Sequence, residues 1–249
     1  MDLYDRKDLA FDMETSNLII ISRYKEDISW AKQLDGDIVI YNKDDKWPWD
    51  DIPRIDVENY GREGETFVRA ILEFYQNISN YDNVIFLQGN PFEHCKDVLN
   101  IINSNVSDDI LHLTDSYTLD TYPDDFYFEE KHVSIVDNLL QIKSVELQAI
   151  VKDNNPNETN RVPDHNHTFL FEETMGLCTV LGISYKSQKV CWATGGQYII
   201  PVRFILNKSE KWWTNLHNLF DYYSKIKKVE SWTYALERIW PLVWRHIDS

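Results

Sequence analysis

The stretch "NVIFLQGNPFEHCKD" (residues 83–97) holds the transition on which the fold turns. Val84 to Leu87 are four consecutive apolar residues, the signature of a strand buried on both faces. Gln88-Gly89-Asn90-Pro91 then breaks the run with turn formers, and Glu93 and His94 follow. A core strand that ends abruptly in polar and titratable residues fits an α/β sheet, where ligand chemistry gathers at the carboxyl ends of the strands.

The same unit recurs upstream. "NLIIISRY" (17–24) and "GDIVIYNK" (36–43) are two more apolar runs of strand length, and "EDISWAKQL" (26–34) between them predicts a short helix starting near Asp27 or Ser29. "DDKWPWDDIP" (44–53) reads as loop and "RIDVENYG" (54–61) as a short third strand. In "REGETFVRAILEFYQNI" (62–78), Phe67, Ile71, Phe74, Tyr75 and Ile78 fall on one helical face. "DVLNIINSN" (97–105) predicts another helix. This alternation predicts a mostly parallel central sheet flanked by helices, a Rossmann-like α/β architecture.

The remainder carries weaker periodicity. Residues 1–16 read as a polar arm, and residues 17–249 as one domain without an internal repeat or a clear linker. Residues 107–130 are acidic and aromatic, expected as an irregular segment that is either a functional loop or an insertion. Residues 134–152 read as helical or mixed, 153–167 as loop, and 168–182 as a helix ending at Gly182, with a strand as the alternative. The chain closes with two amphipathic helices, 209–226 and 231–244.

Composition narrows the function. The 249 residues carry a net charge of -16, which argues against a nucleic-acid footprint and against an anionic membrane surface. No apolar run approaches the roughly 20 residues of a membrane span, and the charged N-terminal stretch is not a secretory signal. Three cysteines, Cys95, Cys178 and Cys191, without CxxC spacing give neither a disulfide framework nor a zinc site, so a reducing, cytoplasmic setting is expected.

Five clusters carry candidate chemistry. At the end of the first strand, Ser22 and Tyr24 are placed to meet a base or ribose and Arg23 a phosphate, unless they are an ordinary solvated strand end. "NYGREGETF" (59–67) sets Gly61 and Arg62 at a helix entrance suited to anions; otherwise it is a turn in which Glu63 and Glu65 stabilise the first helical turn. Gln88, Gly89 and Asn90 offer amides and close backbone approach, and His94 is a candidate base, metal ligand or ribose contact, or else part of a turn and cap. Asp164, His165 and His167 hold a His-x-His spacing able to bind a transition metal, although such loops are more often solvated. Gly195-Gly196 shapes a turn before a strand, and Glu237 interrupts an apolar aromatic helix. A carboxyl buried there is a candidate general base, unless Arg203 or Arg238 pairs with it.

"ISRYKEDISWAKQLDGDIVIYNK", "NYGREGETFVRAILEFYQNISNYDNVIFLQGNPFEH" and "GGQYIIPVRFILN" with "ALERIWPLVW" together resemble an uncharacterised family found in fungi and viruses. That family in turn resembles glycosyltransferases of the GT-A type. The resemblance implies a nucleotide-binding half (17–105), an acceptor-binding half (106–249) with C-terminal helices, and a cytoplasmic protein, in the host cytoplasm if virus-encoded. It implies transfer of a sugar from a nucleotide sugar to a glycan, protein or small-molecule hydroxyl. Donor contacts are then expected from Ser22, Arg23, Tyr24, Glu26, Gly61, Arg62, Glu63, Gln88, Gly89 and Asn90. Acceptor contacts are expected from Gly195, Gly196 and Gln197, and catalysis from Glu237 and His94. Trp47, Trp49 and Trp192 are candidates to stack on sugar faces. Such enzymes commonly hold Mn²⁺ or Mg²⁺ on an Asp-x-Asp after a core strand, where this chain has Gln88-Gly89-Asn90; amides are poor ligands for that metal. Arg23, Arg62 or His94 would then supply the positive charge. The competing classes are a non-catalytic sugar- or nucleotide-binding protein and a metal-dependent hydrolase using Asp164, His165 and His167.

Overall fold

The computed structural model describes residues 17–49, 52–104, 108–115, 117–121, 177–178, 180–183, 189–193, 195–222 and 231–247. The polar arm, the segments 134–152 and 153–167, and with them Asp164, His165 and His167, lie outside the described residues.

Six strands form one mixed sheet in the order β3-β2-β1-β4-β8-β5. They are β1 (Asn17–Arg23), β2 (Asp37–Asn42), β3 (Arg54–Asp56), β4 (Asn83–Gln88), β5 (Leu111–His112) and β8 (Tyr198–Pro201). The first four run parallel, whereas β8 is antiparallel to both β4 and β5. A separate antiparallel pair joins β6 (Tyr117–Thr121) to β7 (Lys189–Ala193). Residues 117–121 therefore form a strand where irregular chain was expected. Its partner lies far along the sequence, so no local hairpin signal marks it.

The central strands are apolar because both faces are covered. Along β1, Leu18 and Ile20 enter one core and Ile19 and Ile21 the other; Val84 and Phe86 against Ile85 and Leu87 repeat the division in β4. The larger core lies under α1 (Arg62–Phe74), α4 (Glu210–Phe220) and α5 (Ser231–Arg245), which contribute Phe67, Trp213 and Trp244 among others. The smaller lies under the 3₁₀ turn Ser29–Gln33 and α2 (Val98–Ser104). Between β8 and α4 runs the short α3 (Val202–Leu206).

Much of the tryptophan content is structural. Trp240 stacks on Trp244 at 4.6 Å, and Trp244 stacks on Phe86 of β4 at 5.5 Å. Strand β8, from the later half of the chain, completes the sheet begun by the first half, so both halves share one core. Among the described residues no helix is long and apolar enough to cross a membrane.

Candidate functional site

The strand order reverses between β1 and β4, and in open α/β sheets a crevice forms at the carboxyl ends on either side of such a reversal. Arg23 and Gln88 end those two strands. Beyond β1 the chain turns sharply, and the Glu26 carboxylate folds back to accept the backbone N–H groups of Tyr24 at 2.7 Å and Lys25 at 3.0 Å. Its tip lies against Gly89, leaving no room for a β-carbon there. Trp30 Nε1 donates to the Gly89 carbonyl at 3.1 Å, which ties the two strand ends together.

The entrance to α1 lies beside Lys43, which follows β2. Gly61 and Arg62 are both left-handed, with φ of 64° and 52°. Arg62 is not a glycine, so this conformation is strained. Lys43, buried at the end of β2, holds the turn by donating Nζ to the carbonyls of Tyr60 and Arg62 and to Glu65 Oε2. The exposed Arg62 guanidinium stacks 4.5 Å over the Tyr234 ring, hydrogen-bonds its hydroxyl, and lies 3.7 Å from Glu63.

Glu237 of α5 faces this entrance. One oxygen accepts the Gly195 N–H at 2.8 Å. Burial first, then the Glu63 charge, raise its carboxyl to about 7; the Gly195 N–H, Arg62 and Arg238 oppose the rise. Pro241 sits four residues on within the same helix, and it has no N–H to give the Glu237 carbonyl. The Gly195-Gly196 turn that meets Glu237 has φ of 92° and 60°. The His94 ring lies directly against the Gly195 α-carbon. Gly195→Ala is expected to cost about 2–4 kcal/mol through left-handed strain and collision with His94. Gly182→Ala is the control: it has φ of 67° but nothing within 4 Å of the added carbon, and should cost only about 1–2 kcal/mol. Urea midpoints of the two variants check the difference.

Four expected ligand contacts are instead built into the scaffold. Ser22 Oγ donates to Thr66 Oγ1 at 3.0 Å and is buried. Arg23 is 3% exposed; it donates to the Glu26 and Lys46 carbonyls and to Asn42, with its guanidinium beside Trp47 and Trp49. Gln88 Nε2 donates to the Gly195 carbonyl at 2.7 Å. Gln197 is fully buried, accepting from Gln88 N and donating to the Pro91 and Leu113 carbonyls. The Arg23 guanidinium is thus held by internal acceptors at the end of β1. Tyr24, Asn90 and Arg62 are exposed, and Glu63, His94 and Glu237 are partly so.

Sequence reasoning missed Lys43 and Tyr234, and it placed Glu65 at a helix start rather than at the centre of a buried ion network. The i,i+4 spacing of Glu65 and Arg69 was the available signal. The residues after β4 do not fit a divalent metal on a diphosphate: Gln88 is bonded to Gly195, and neither Gln88 nor Asn90 has a carboxylate. Among the described residues no three His, Cys, Asp or Glu side chains converge as a metal site. Comparison with family models, with curated proteins and with solved structures found no match to the chain.

Proposed function

We propose that the protein is a GT-A-like glycosyltransferase that moves a sugar from a nucleotide sugar to an acceptor hydroxyl. The observation that carries this reading is the Glu237 carboxyl, raised to about 7, hydrogen-bonded to the Gly195 N–H and near the Arg62 and Glu63 charges at the entrance to α1, in an α/β protein with a mixed sheet. An acid titrating near neutrality is suited to take a proton from a hydroxyl at working pH. The β1/β4 strand reversal supports nucleotide binding in the crevice beside it.

In this reading the nucleotide lies beside the exposed Tyr24 and Asn90, and Arg62 faces its diphosphate. Glu237 takes the acceptor proton as the acceptor oxygen bonds to the anomeric carbon. The bond from that carbon to the diphosphate breaks, and the nucleoside diphosphate leaves with the electron pair. The outcome is inversion at the anomeric carbon. Arg62 is a guanidinium and carries positive charge at any working pH; Glu63, Tyr234 and Glu237 hold it above its ordinary value against the opposing effect of partial burial.

Release of nucleoside diphosphate from a panel of nucleotide sugars tests the activity. The rate is expected to rise with pH and level off above about 7, and Arg62→Ala should weaken donor affinity by about tenfold. Binding without release from any donor would favour the second reading, a non-catalytic nucleotide- or sugar-binding protein. The absence of a carboxylate pair after β4 is the observation that favours it.

A further inference from the structure

Gln88 ends β4, and its side chain does something an ionised carboxylate cannot. Its amide nitrogen donates to the Gly195 carbonyl at 2.7 Å, and Gly195 in turn donates its N–H to Glu237 at 2.8 Å. The backbone N–H of Gln88 donates to the Gln197 side chain at 3.2 Å, extending the β4–β8 pairing past Phe86 and Tyr198. Gly195 is thus held at its carbonyl by Gln88, at its N–H by Glu237, and across its α-carbon by the His94 ring. An ionised Asp or Glu at position 88 would set oxygen against oxygen at the Gly195 carbonyl, so the amide donor is required.

We propose that Gln88 is a positioning residue that acts through Gly195 to fix the orientation of the Glu237 carboxylate. It works at one remove from the chemistry and touches neither donor nor acceptor. Among the described residues, the charged groups acting on Glu237 are Arg62 and Glu63 of α1 and Arg238 of its own helix; the buried Tyr198 of β8 senses its charge, Tyr234 of its own helix bonds Arg62, and the His94 ring packs on Gly195. The Gly195 N–H is the only hydrogen bond to the Glu237 carboxylate among the described residues, so releasing Gly195 frees that carboxylate directly. The proposal rests on Glu237 being the base, but its first test does not require turnover.

The test follows two signals by nuclear magnetic resonance across pH, the Gly195 amide and the Glu237 side-chain carboxyl, the latter assigned by its loss in Glu237→Gln. In Gln88→Leu the Gly195 amide is expected to lose the shift of a bonded donor. The Glu237 midpoint should rise by on the order of half a pH unit, because the lost N–H bond favoured the charged form. Gln88→Glu should behave like Gln88→Leu while ionised. As its new carboxyl protonates and again donates to the Gly195 carbonyl, the Gly195 amide should converge on the wild-type position at the same pH. Should Gln88→Leu fail to fold, this rescue within Gln88→Glu decides alone. In turnover, kcat is expected to fall about tenfold with the KM for donor unchanged. Folded variants in which both signals stay at wild-type positions at every pH would overturn the proposal. A shifted Glu237 midpoint with unaltered turnover supports the positioning role and counts against Glu237 as the base.

Discussion

Glu237→Gln is expected to lower nucleotide-sugar turnover by about 10²–10⁴-fold while the protein folds normally. Glutamine keeps the shape and can still accept the Gly195 N–H through its carbonyl, so the loss would report the missing base rather than a collapsed turn. The same variant should gain stability at alkaline pH. The folded carboxyl is raised from 4.5 to about 7, so between those values the native state binds more protons than the unfolded chain. The Glu237 contribution to stability therefore falls as pH rises through this window, by about 1–3 kcal/mol once partial exposure is allowed for. Glutamine removes that penalty, and urea midpoints at pH 5 and pH 8 would show the variant gaining only at the higher pH. Lost activity together with gained stability is the signature of a side chain kept for chemistry.

The largest stability loss is expected at Glu65, which is fully buried on α1. Its carboxylate meets Lys43 Nζ at 3.2 Å, Arg69 at 2.6 Å and His217 Nε2 at 3.3 Å. Burial alone would raise its carboxyl, but the His217 hydrogen bond and the Lys43 and Arg69 charges prevail and hold it at about 2. Glu65→Ala leaves Lys43 buried with its counter-ion removed, and should cost about 3–5 kcal/mol. The pH dependence has the opposite sign to that of Glu237. A carboxyl depressed from 4.5 to about 2 stabilises the fold fully above the unfolded value, and that stabilisation is lost as pH falls through the interval. Chemical denaturation between pH 6 and pH 2 should show a loss of about 3 kcal/mol from this group in the wild type and none in Glu65→Gln.

Lys43 links that network to the candidate site. The ammonium that meets Glu65 also holds the carbonyls on either side of Gly61, and so maintains the left-handed Arg62 at the entrance to α1. Glu65→Ala should therefore disturb Arg62 as well as the core, which donor affinity of the folded fraction would register.

The sheet was legible because its strands are apolar on both faces: Asn17–Arg23, Asp37–Asn42 and Asn83–Gln88 fall where the runs predict them. The helices α1, α4 and α5 were legible through their periodic apolar faces, as α2 was from its short apolar run. Strand β6 was not, since only pairing with the distant β7 makes it a strand. At the site, the sequence marks Glu237, His94 and Gly195 as separate oddities, and folding brings them into one cluster. The commitment of Arg23, Gln88 and Gln197 to internal bonds had no sequence signal. A polar residue at a strand end looks the same whether it faces a ligand or braces a loop, and only its partners distinguish the two.

The most direct test of a nucleotide-sugar site at the β1/β4 reversal is amide chemical-shift mapping during titration with nucleoside diphosphates and nucleotide sugars. The account predicts saturable shifts concentrated at Tyr24, Gly89, Asn90, Arg62 and Gly195. Shifts elsewhere in the chain, or none with any nucleotide at millimolar concentration, would contradict it.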